Sequence, residues 1–372
     1  MNFSKKELER YSRQLILPEL GEAGQKKLKQ AKVLVVGAGG LGSPSAIYLA
    51  AAGVGTLGVI DADKVELSNL HRQVLHTTQD LKKFKAANAK EKLKALNPHV
   101  KVVAYKERFG AANAAKLLKE YDLIIDGTDN FPTRYVINDA CVLAKKPFVF
   151  GGILRFEGQV SVFGLPGGPC YRCFFEEPPK ADEVPSCAEA GVLGILPGII
   201  GLLQSNEAVK LLCGIGSPLK GRLLIFDALN THFREVTLKK NPQCAVCGRN
   251  PTIKKVEAVE LPVACVLQPQ SAGIPEITAR ELKNLMKKQP TGFYIFDVRE
   301  KPEWDEGHIK GAVLKPMSIL QQTYHEIPKD KPVYLHCGGG GRSSRAVQFL
   351  QSRGYSNVYN LKGGFRAWTA QS

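Results

Sequence analysis

Residues 33–42 of the chain read VLVVGAGGLG, an apolar run followed by a Gly-x-Gly-x-x-Gly pattern that opens a helical stretch. Glycines in this pattern permit a tight turn and let a phosphate approach backbone amides at a helix start. They are Gly37, Gly39, Gly40 and Gly42. Asp61 ends the next apolar run, where a carboxylate can accept hydrogen bonds from ribose hydroxyls. The stretch predicts a nucleotide-binding domain, and the pattern alone also fits an NAD-dependent dehydrogenase.

Further apolar runs alternate with helical stretches through the first half of the chain. They lie at residues 57–60, 100–104, 123–125 and 148–150. This alternation is typical of a parallel sheet with crossover helices. After Gly158 the pattern changes to polar–apolar alternation, which predicts antiparallel additions to the same sheet. The predicted fold class is therefore α/β, with a Rossmann-like mixed sheet.

The length of 372 residues favours two domains. We predict a first domain over residues 1–248 and a linker over 249–275, which carries four prolines and little periodicity. A new αβ alternation follows, with helices over 277–288 and 343–352 and buried strands over 293–298 and 333–335. Residues 276–372 are thus expected to form a second, small α/β domain.

The chain is basic, with 51 Lys and Arg against 35 Asp and Glu and a net charge of +16. Such a charge can attract an acidic partner, but solvated lysines produce the same total. The sequence lacks a recognisable nucleic-acid-binding module, so we expect no nucleic-acid partner. The N terminus lacks the apolar stretch of a signal peptide. The longest apolar run, 192–203, contains Pro197 and is too short to span a bilayer, so a cytoplasmic protein without membrane segments is expected.

Four of the nine cysteines form two Cys-x-x-Cys pairs, Cys170 with Cys173 and Cys244 with Cys247. Two such thiolate pairs are typical of a tetrahedral zinc site without an open position, which is structural. A pair of redox motifs is the alternative, but neither pair begins a helix after a strand as a thioredoxin-like site does. We predict structural Zn²⁺ here.

Residues 61–73, DADKVELSNLHRQ, are denser in polar and cationic groups than a nicotinamide site needs. Together with other segments they resemble the ATP-dependent adenylyltransferases of the MoeB/ThiF group, relatives of the ubiquitin-activating enzymes. The resemblance covers residues 9–247. The other matching segments are RYSRQ at 10–14, Lys85, DGTDN at 126–130, RFEGQ at 155–159, both cysteine pairs and CAEAGV at 187–192.

Adenylation expels pyrophosphate from ATP, so cations must neutralise charge on the leaving phosphates, and Arg72 and Lys85 are the candidates. The resemblance implies that Arg13 reaches the same triphosphate from the second subunit of a homodimer. It also implies that Asp129 holds Mg²⁺. The remaining residues that the resemblance places against nucleotide or phosphate are Ser68, Asn69 and Asn130.

Cys187 lies in the segment EEPPKADEVPSCAEAGV, whose prolines and charges predict an exposed loop. The resemblance implies that it is the crossover-loop cysteine, which either attacks the acyl group or resolves a persulfide. Without the resemblance, an idle surface thiol would be a serious alternative. Cys141, Cys213 and Cys265 are expected to be small buried or linker residues.

Cys337 ends the run VYLH and begins CGGGGRS at 337–343, which precedes a helix. Backbone amides of a glycine-rich turn at a helix start form an anion cradle that stabilises a thiolate or persulfide. The segment resembles the active-site loop of rhodanese sulfurtransferases, and the resemblance covers about residues 276–368. Matching segments are DVRE at 297–300, Trp304, EGHI at 306–309, Gly311-Ala312 and GGFRAW at 363–368. The four consecutive glycines differ from many rhodaneses, and His336 is expected to tune the thiolate or simply to pack.

Together the two resemblances imply a fused adenylyltransferase and sulfurtransferase. Its client would be a ubiquitin-like sulfur-carrier protein with a C-terminal Gly-Gly, of the MoaD or ThiS kind. The carrier carboxylate would attack the α-phosphate of Mg·ATP, and a persulfide on Cys337 would then convert the acyl-adenylate to a thiocarboxylate. The sulfur would come from a donor such as a cysteine desulfurase or thiosulfate.

Several alternatives stay open at this stage. The glycine pattern still allows an NAD-dependent dehydrogenase with a rhodanese-like appendage. A scaffold protein with an inactive C-terminal domain, or an activator that conjugates its carrier to proteins, would also fit parts of the sequence. The carrier and its pathway are open among molybdenum cofactor, thiamine, cysteine biosynthesis and tRNA thiolation.

Overall fold

The computed structural model describes residues 2–179, 191–259, 274–289 and 291–370. The chain divides into two compact units, Met1–Cys265 and Val266–Ser372. Each unit has its own sheet and its own apolar core. The predicted domain bounds and linker stay predictions, because residues 260–273 lie outside the described part of the chain.

The N-terminal unit is built on a mixed sheet with the order β3-β2-β1-β4-β5-β6-β7-β8. Its strands are β1 Lys32–Val36, β2 Thr56–Ile60, β3 Lys101–Tyr105, β4 Leu123–Asp126, β5 Phe148–Leu154, β6 Glu157–Phe163, β7 Arg222–Asp227 and β8 His232–Thr237. The first five strands pair in parallel, and β6 to β8 pair antiparallel. The predicted mixed α/β sheet is therefore confirmed, with β3 one residue later than expected.

Helices cover both faces of this sheet. They are α1 Lys5–Arg10, α2 Ser12–Leu15, α3 Gly21–Gln30, α4 Gly42–Ala52, α5 Lys85–Leu96, α6 Ala111–Glu120, α7 Phe131–Leu143 and α8 Leu196–Cys213. Within the described residues, no helix is both long enough and apolar enough to cross a bilayer.

The central strand β1 shows why the apolar runs are continuous rather than alternating. Val33 and Val35 pack into the core that α3, α4, α5 and α8 complete, whereas Leu34 and Val36 pack into the core on the opposite face, with α6 and α7. All four side chains are at most 2% exposed. A parallel strand covered on both faces buries every side chain, which explains the sequence VLVV.

The C-terminal unit has a five-stranded parallel sheet with the order β11-β10-β12-β13-β9. Its strands are β9 Glu276–Ile277, β10 Tyr294–Asp297, β11 Val313–Leu314, β12 Val333–His336 and β13 Val358–Leu361. Its helices are α9 Ala279–Lys288, α10 Lys301–Asp305, α11 Leu320–Thr323, α12 Gly341–Ser352 and α13 Gly364–Thr369.

Two predicted helix starts in this unit were wrong. The helix expected to begin at Ser343 begins at Gly341, directly after Gly340, which has φ +95°. The helix expected to begin at Ile277 begins at Ala279, because Thr278 is its N-cap and Ile277 belongs to β9. The Thr278 hydroxyl accepts a hydrogen bond from the amide of Glu281, and the Glu281 carboxylate accepts one from the amide of Thr278. This capping box satisfies two amides that would otherwise lack partners, and it sets the helix start.

Substitution of Gly58, in β2, tests the packing of the N-terminal core. A Cβ at this position would lie 2.2 Å from the Tyr121 hydroxyl oxygen, and Tyr121 is 2% exposed. We expect Gly58→Ala to destabilise the unit by about 1–3 kcal/mol, because an overpacked core must shift its neighbours. A lowered unfolding midpoint in differential scanning calorimetry checks this.

The control is Gly198→Ala in α8, where an added Cβ meets nothing within 4 Å. It should leave the midpoint unchanged or raise it, because alanine favours a helix over glycine by about 1 kcal/mol. Equal effects of the two substitutions would contradict the packing described here.

Candidate functional site

The glycine turn joins the carboxyl end of β1 to α4 and leaves no room for side chains at two of its positions. Gly37 has φ +91°, and a Cβ there would lie 2.8 Å from the carbonyl oxygen of Gly127. A Cβ at Gly42 would lie 1.8 Å from the carbonyl oxygen of Gly37. The turn therefore packs backbone against backbone beside the loop after β4. The strand order reverses between β1 and β4, the place where open α/β sheets bind ligands.

Asp61, at the end of β2, holds the glycine turn from one side. Its carboxylate accepts hydrogen bonds from the backbone amides of Ala38 and Asp63, each at 2.8 Å. Burial raises the pKa of Asp61, while the hydrogen bond from Ala38 and the charge of Lys85 oppose the shift. One carboxylate thus ties the turn after β1 to the segment after β2, and its contact with a ribose stays a prediction.

Two of the predicted cations lie around this turn. Lys85 is the first residue of α5, is buried, and places its Nζ 3.4 Å from the Asp63 carboxylate. Arg72 donates to the carbonyl oxygen of Ser68, and its side chain would lie 3.6 Å from a Cβ at Gly40. The structure therefore brings Arg72 and Lys85 to the glycine turn from separate segments.

The other predicted nucleotide contacts differ in exposure. Asn69 is buried, and its side-chain oxygen accepts from the amide of Glu66. Asp129 and Asn130 are exposed at the carboxyl end of β4. The Asn130 side-chain oxygen caps α7 by accepting from the amide of Thr133, so its amide nitrogen remains for a ligand. Arg13 is exposed on α2, and its contribution to a second subunit stays a prediction.

Sequence reasoning missed Arg134, which holds the loop that carries Asp129. Arg134 lies on α7 and is 8% exposed. Its Nε donates to the buried Asp126 carboxylate at 3.1 Å, and its Nη2 donates to the carbonyl oxygens of Thr128 and Gly151. A signal was present, since an arginine one helical turn after Asn130 can reach back to the strand end.

His76 was also missed, and it supports the glycine turn from the side opposite Asp61. Its Nε2 donates to the carbonyl oxygen of Ala38 at 3.0 Å, and its Nδ1 accepts from Asn88 at 2.8 Å. Burial lowers the pKa of His76, so the ring is neutral near pH 7. Ala38 is therefore held through its amide by Asp61 and through its carbonyl by His76.

The four predicted zinc ligands come together in the N-terminal unit. Their sulfur atoms all lie within 4.8 Å of one another, with 3.5 Å between Cys170 and Cys244 and 3.4 Å between Cys173 and Cys247. Sulfurs around one zinc ion are roughly 3.8 Å apart, because zinc–sulfur bonds are about 2.3 Å. Four thiolates cannot share so small a volume without a cation, so the cluster fits a bound metal.

Cys337 lies in the C-terminal unit at the carboxyl end of β12, before α12, and is 2% exposed. The amide of Gly340 donates to its sulfur at 3.1 Å, and the Ser343 hydroxyl lies 3.5 Å from the same sulfur. Burial alone would raise the pKa of Cys337. Hydrogen bonds from Ser343, through its hydroxyl when the proton faces the sulfur and through its backbone amide, and from the Gly339 and Gly340 amides outweigh burial and lower that pKa. The loop is thus built to stabilise a thiolate.

Charged groups around this loop are paired with one another. Arg342 makes a two-point ion pair with Glu303, at 2.7 and 2.6 Å, and Arg299 pairs with the buried Asp297. His336 is buried beside Phe365, and burial lowers its pKa to about 4. A neutral His336 ring cannot act as a charged partner of the thiolate, so of the two expected roles packing fits better.

The remaining cysteines separate into two groups. Cys141 and Cys213 are buried, as predicted. Cys187, the predicted crossover-loop thiol, and Cys265, in the predicted linker, lie outside the described residues. Of the cysteines with a predicted chemical or metal-binding role, the structure therefore describes Cys337 and the four-sulfur cluster, but not Cys187.

Comparison with known families assigns both units. Residues 11–246 match the ThiF family, and residues 278–371 match the rhodanese-like domain.

Comparison with characterised proteins extends this result over the whole chain. A relative from Mycobacterium tuberculosis, named probable adenylyltransferase/sulfurtransferase MoeZ, is 45% identical, covering 99% of this chain and 94% of its own length. A sulfur carrier protein adenylyltransferase from Thermus thermophilus is 54% identical over 72% of this chain and all of its own length. The adenylyltransferase and sulfurtransferase MOCS3 of Bos taurus is 41% identical, covering 99% of this chain and 87% of its own length. These names do not support the dehydrogenase alternative.

Solved structures support the fold of the N-terminal unit. E. coli MccB in complex with MccA-N7isoASN has a TM-score of 0.58 at 23% identity, covering 67% of this chain and 76% of that chain. PaaA has a TM-score of 0.56 at 28% identity, covering 64% of this chain and 76% of that chain. The mixed sheet and its helices are thus a known architecture.

Removal of Arg134 tests how the loop after β4 is held. We expect Arg134→Ala to lower the stability of the N-terminal unit by about 3–5 kcal/mol, because it leaves the fully buried Asp126 carboxylate without its partner. Urea unfolding followed by circular dichroism measures the change.

The control is Arg234→Ala, which removes an ion pair with Glu157 whose side chains are 59% and 45% exposed. Its cost should stay below about 1 kcal/mol. A comparable cost for the two variants would show that Arg134 is not a buried structural cation.

Proposed function

The chain belongs to the ThiF family and carries a C-terminal rhodanese-like domain, and on that premise we propose that its two activities act in sequence on one ubiquitin-like sulfur-carrier protein. As an adenylyltransferase it activates the C-terminal glycine of the carrier with ATP. As a sulfurtransferase it supplies the sulfur that converts the activated carboxylate to a thiocarboxylate. The observation that carries this proposal is the presence, in one chain, of a glycine turn flanked by cations and a thiol cradled by backbone amides.

The first step is an attack of the carrier carboxylate on the α-phosphate of ATP, which forms the acyl-adenylate and releases pyrophosphate. Amides at the start of α4 approach the phosphates, and the Asp61 carboxylate accepts from the ribose. Arg72 and Lys85 neutralise charge on the leaving phosphates. Asp129 would hold Mg²⁺, which supplies further charge neutralisation when bound, and Arg13 of a second subunit would reach the same phosphates.

The second step uses Cys337. A donor such as a cysteine desulfurase or thiosulfate leaves a persulfide on this thiol. The terminal sulfur attacks the acyl carbon, a carbon–sulfur bond forms, and AMP leaves with the electrons of the broken carbon–oxygen bond. The product is an acyl disulfide on Cys337. Amides of the glycine loop stabilise the anionic persulfide before the attack.

Release of the thiocarboxylate requires a second thiol, and Cys187 is our candidate. Its thiolate attacks the Cys337 sulfur of the acyl disulfide, which frees the thiocarboxylate and leaves a disulfide between the two cysteines. An external thiol must then reduce that disulfide. In the alternative order, Cys187 first takes the acyl group from the adenylate as a thioester.

The four-cysteine cluster would hold a structural Zn²⁺ in this scheme. Cys170 and Cys173 follow β6, and Cys244 and Cys247 lie near the end of the N-terminal unit, so the ion would tie these two segments together. Four sulfur ligands leave no open position, and the site therefore takes no part in the chemistry.

The proposed product, a thiocarboxylate on the carrier, is compatible with more than one biosynthetic pathway. A thiocarboxylate carrier can serve molybdenum cofactor, thiamine or tRNA thiolation, and the names of the relatives are consistent with the first of these. A homodimer, the cytoplasm as its place of action, and independence of nucleic acid and membranes stay predictions from the sequence.

Mass spectrometry of candidate carriers tests the whole scheme. We expect a carrier incubated with the protein, MgATP and a sulfur source to gain the mass difference between one sulfur and one oxygen. Retention of the original mass by every Gly-Gly carrier of the source organism, despite active ATP–pyrophosphate exchange, would contradict sulfur transfer to the carrier.

Variants separate the two steps. Cys337→Ala should keep ATP–pyrophosphate exchange and lose thiocarboxylate formation, because it removes only the sulfur acceptor. Arg72→Ala should lower exchange by about 100-fold or more, the usual cost of losing one group that stabilises the transition state. Cys213→Ser changes a buried thiol that neither proposed step uses, and it should leave both readouts near the parent values. Undiminished thiocarboxylate formation by Cys337→Ala would refute the proposed sulfur route.

Metal analysis tests the zinc proposal. The purified parent should contain a single zinc ion per chain by plasma mass spectrometry, whereas Cys173→Ser should lose the metal and unfold at lower temperature. The control Cys213→Ser can keep its hydrogen bond to the Gly24 carbonyl and should retain zinc. Equal zinc content in both variants would exclude the four-sulfur site.

A further inference from the structure

A chain of hydrogen bonds runs from the exposed Glu276, at the edge of the C-terminal sheet, to the buried Cys337. Ser343, which is fully buried, lies 3.5 Å from the Cys337 sulfur through its hydroxyl oxygen. The same oxygen lies 2.7 Å from the side-chain oxygen of Asn360, which is 3% exposed. The Asn360 amide nitrogen in turn donates to the Glu276 carboxylate at 2.9 Å.

The carboxylate at one end determines the orientation of the amide. An ionised carboxylate only accepts hydrogen bonds, so the Asn360 NH₂ group must face Glu276. The Asn360 carbonyl oxygen must then face Ser343. Because that oxygen also only accepts, the hydrogen bond between the two residues uses the single hydroxyl proton of Ser343.

The Ser343 proton therefore has competing acceptors. The Asn360 oxygen at 2.7 Å is closer than the Gly340 carbonyl oxygen at 3.2 Å or the Cys337 sulfur at 3.5 Å. A proton given to Asn360 is not available to stabilise a thiolate on Cys337. Rotation of the hydroxyl toward sulfur would leave the buried Asn360 oxygen without a donor, which costs free energy.

We propose that Asn360 is a positioning residue that draws the Ser343 proton away from the Cys337 sulfur, and that Glu276 fixes the amide orientation that does so. The inference rests on the proposed role of Cys337 as the sulfur acceptor. The proposal adds a limit on the stability of the thiolate. The glycine-loop amides stabilise the thiolate of Cys337, and the Glu276–Asn360 pair reduces the further stabilisation that the Ser343 hydroxyl could provide.

The restraint begins at the first strand of the C-terminal unit. Glu276 is the first residue of β9, and Asn360 of β13 is its register partner in the parallel pair. The backbone amide of Asn360 donates to the carbonyl oxygen of Pro275 at 2.7 Å. Residues 275 and 276, at the start of the described C-terminal unit, therefore hold Asn360, the residue that determines where the Ser343 hydroxyl proton points.

Other charged groups near the nucleophile must be held constant in a test. Lys362 lies 3.8 Å from Glu276, and the groups around the loop are Asp297, Arg299, Glu303, His336 and Arg342. A double-mutant cycle between Asn360 and Ser343 leaves all of them unchanged, so their contributions cancel.

The experiment measures the rate of iodoacetamide alkylation of Cys337 against pH in the full-length protein, with the Cys337 peptide followed by mass spectrometry. Asn360→Leu should lower the pKa of Cys337 by about half to one unit, which is roughly a 3- to 10-fold gain in thiolate below that pKa, as expected for one freed hydrogen bond. The same substitution in a Ser343→Ala background should have no effect on the pKa. Both variants are assayed at a temperature well below their unfolding midpoints, so that partial unfolding does not contribute to the alkylation rate.

Glu276→Gln is the second variant, useful if Asn360→Leu does not fold. A glutamine amide can donate to the Asn360 oxygen, so Asn360 can reverse and donate to the Ser343 oxygen instead. The Ser343 proton is then free for sulfur, and the pKa of Cys337 should fall in the same direction. Asn357→Leu is the matched control, since the side-chain amide of Asn357 donates to the carbonyls of Pro328 and Lys331, and it should leave the pKa of Cys337 unchanged.

Two outcomes would overturn the proposal. One is a pKa of Cys337 that does not fall in Asn360→Leu or in Glu276→Gln. The other is a fall of equal size with and without Ser343, which would mean that Asn360 acts on the thiol by another route. Alkylation needs neither carrier nor ATP, so failure of the proposed function would show only in the thiocarboxylate assay.

Discussion

The N-terminal unit depends on one close backbone contact, between the turn after β1 and the loop after β4. Gly37 and Gly127 approach so closely that a Cβ on either would overlap a carbonyl group of the other segment. The contact places the start of α4 beside Gly127, in the loop that also carries Asp129, at the point where the strand order reverses. Two buried polar contacts hold the two segments in place. Arg134 pairs with Asp126 at the base of the loop after β4, and His76 donates to the carbonyl oxygen of Ala38 in the turn after β1.

The two units both place backbone amides toward negative charge, and they do so with similar turns. Each has a glycine-containing turn between the carboxyl end of a parallel strand and the start of a helix, with backbone amides free to face negative charge. They differ in the side chains that support the turn. Cations flank the first turn, as a triphosphate requires, whereas the second has a hydroxyl, an amide and paired charges, as a single sulfur anion requires.

Patterns along the chain were enough to predict the first sheet and, in the second, strands β10 and β12, because covered parallel strands such as β1 are continuous apolar runs. Strands β9, β11 and β13 of the second sheet were not predicted. The patterns also identified the glycine turns and cysteine pairs, whose spacing is local. Partners of buried polar groups were not predictable in this way. Asn360 is 17 residues from Ser343 and 84 from Glu276 along the sequence, and only the pairing of β9 with β13 brings them together. His76 was missed for the same reason, since its role depends on which backbone it faces. Arg134 is only 8 residues from Asp126, so its local signal was overlooked rather than absent.

The near-complete enclosure of Cys337 has a consequence for oxidative damage. A thiol of lowered pKa is the kind that peroxides attack first, and further oxidation to sulfinic acid is irreversible in most proteins. Cys337 is only 2% exposed, however, so it reacts with reagents in solution more slowly than an exposed thiolate of the same pKa would. The enclosure that the fold provides can thus slow the loss of a reactive nucleophile to oxidation.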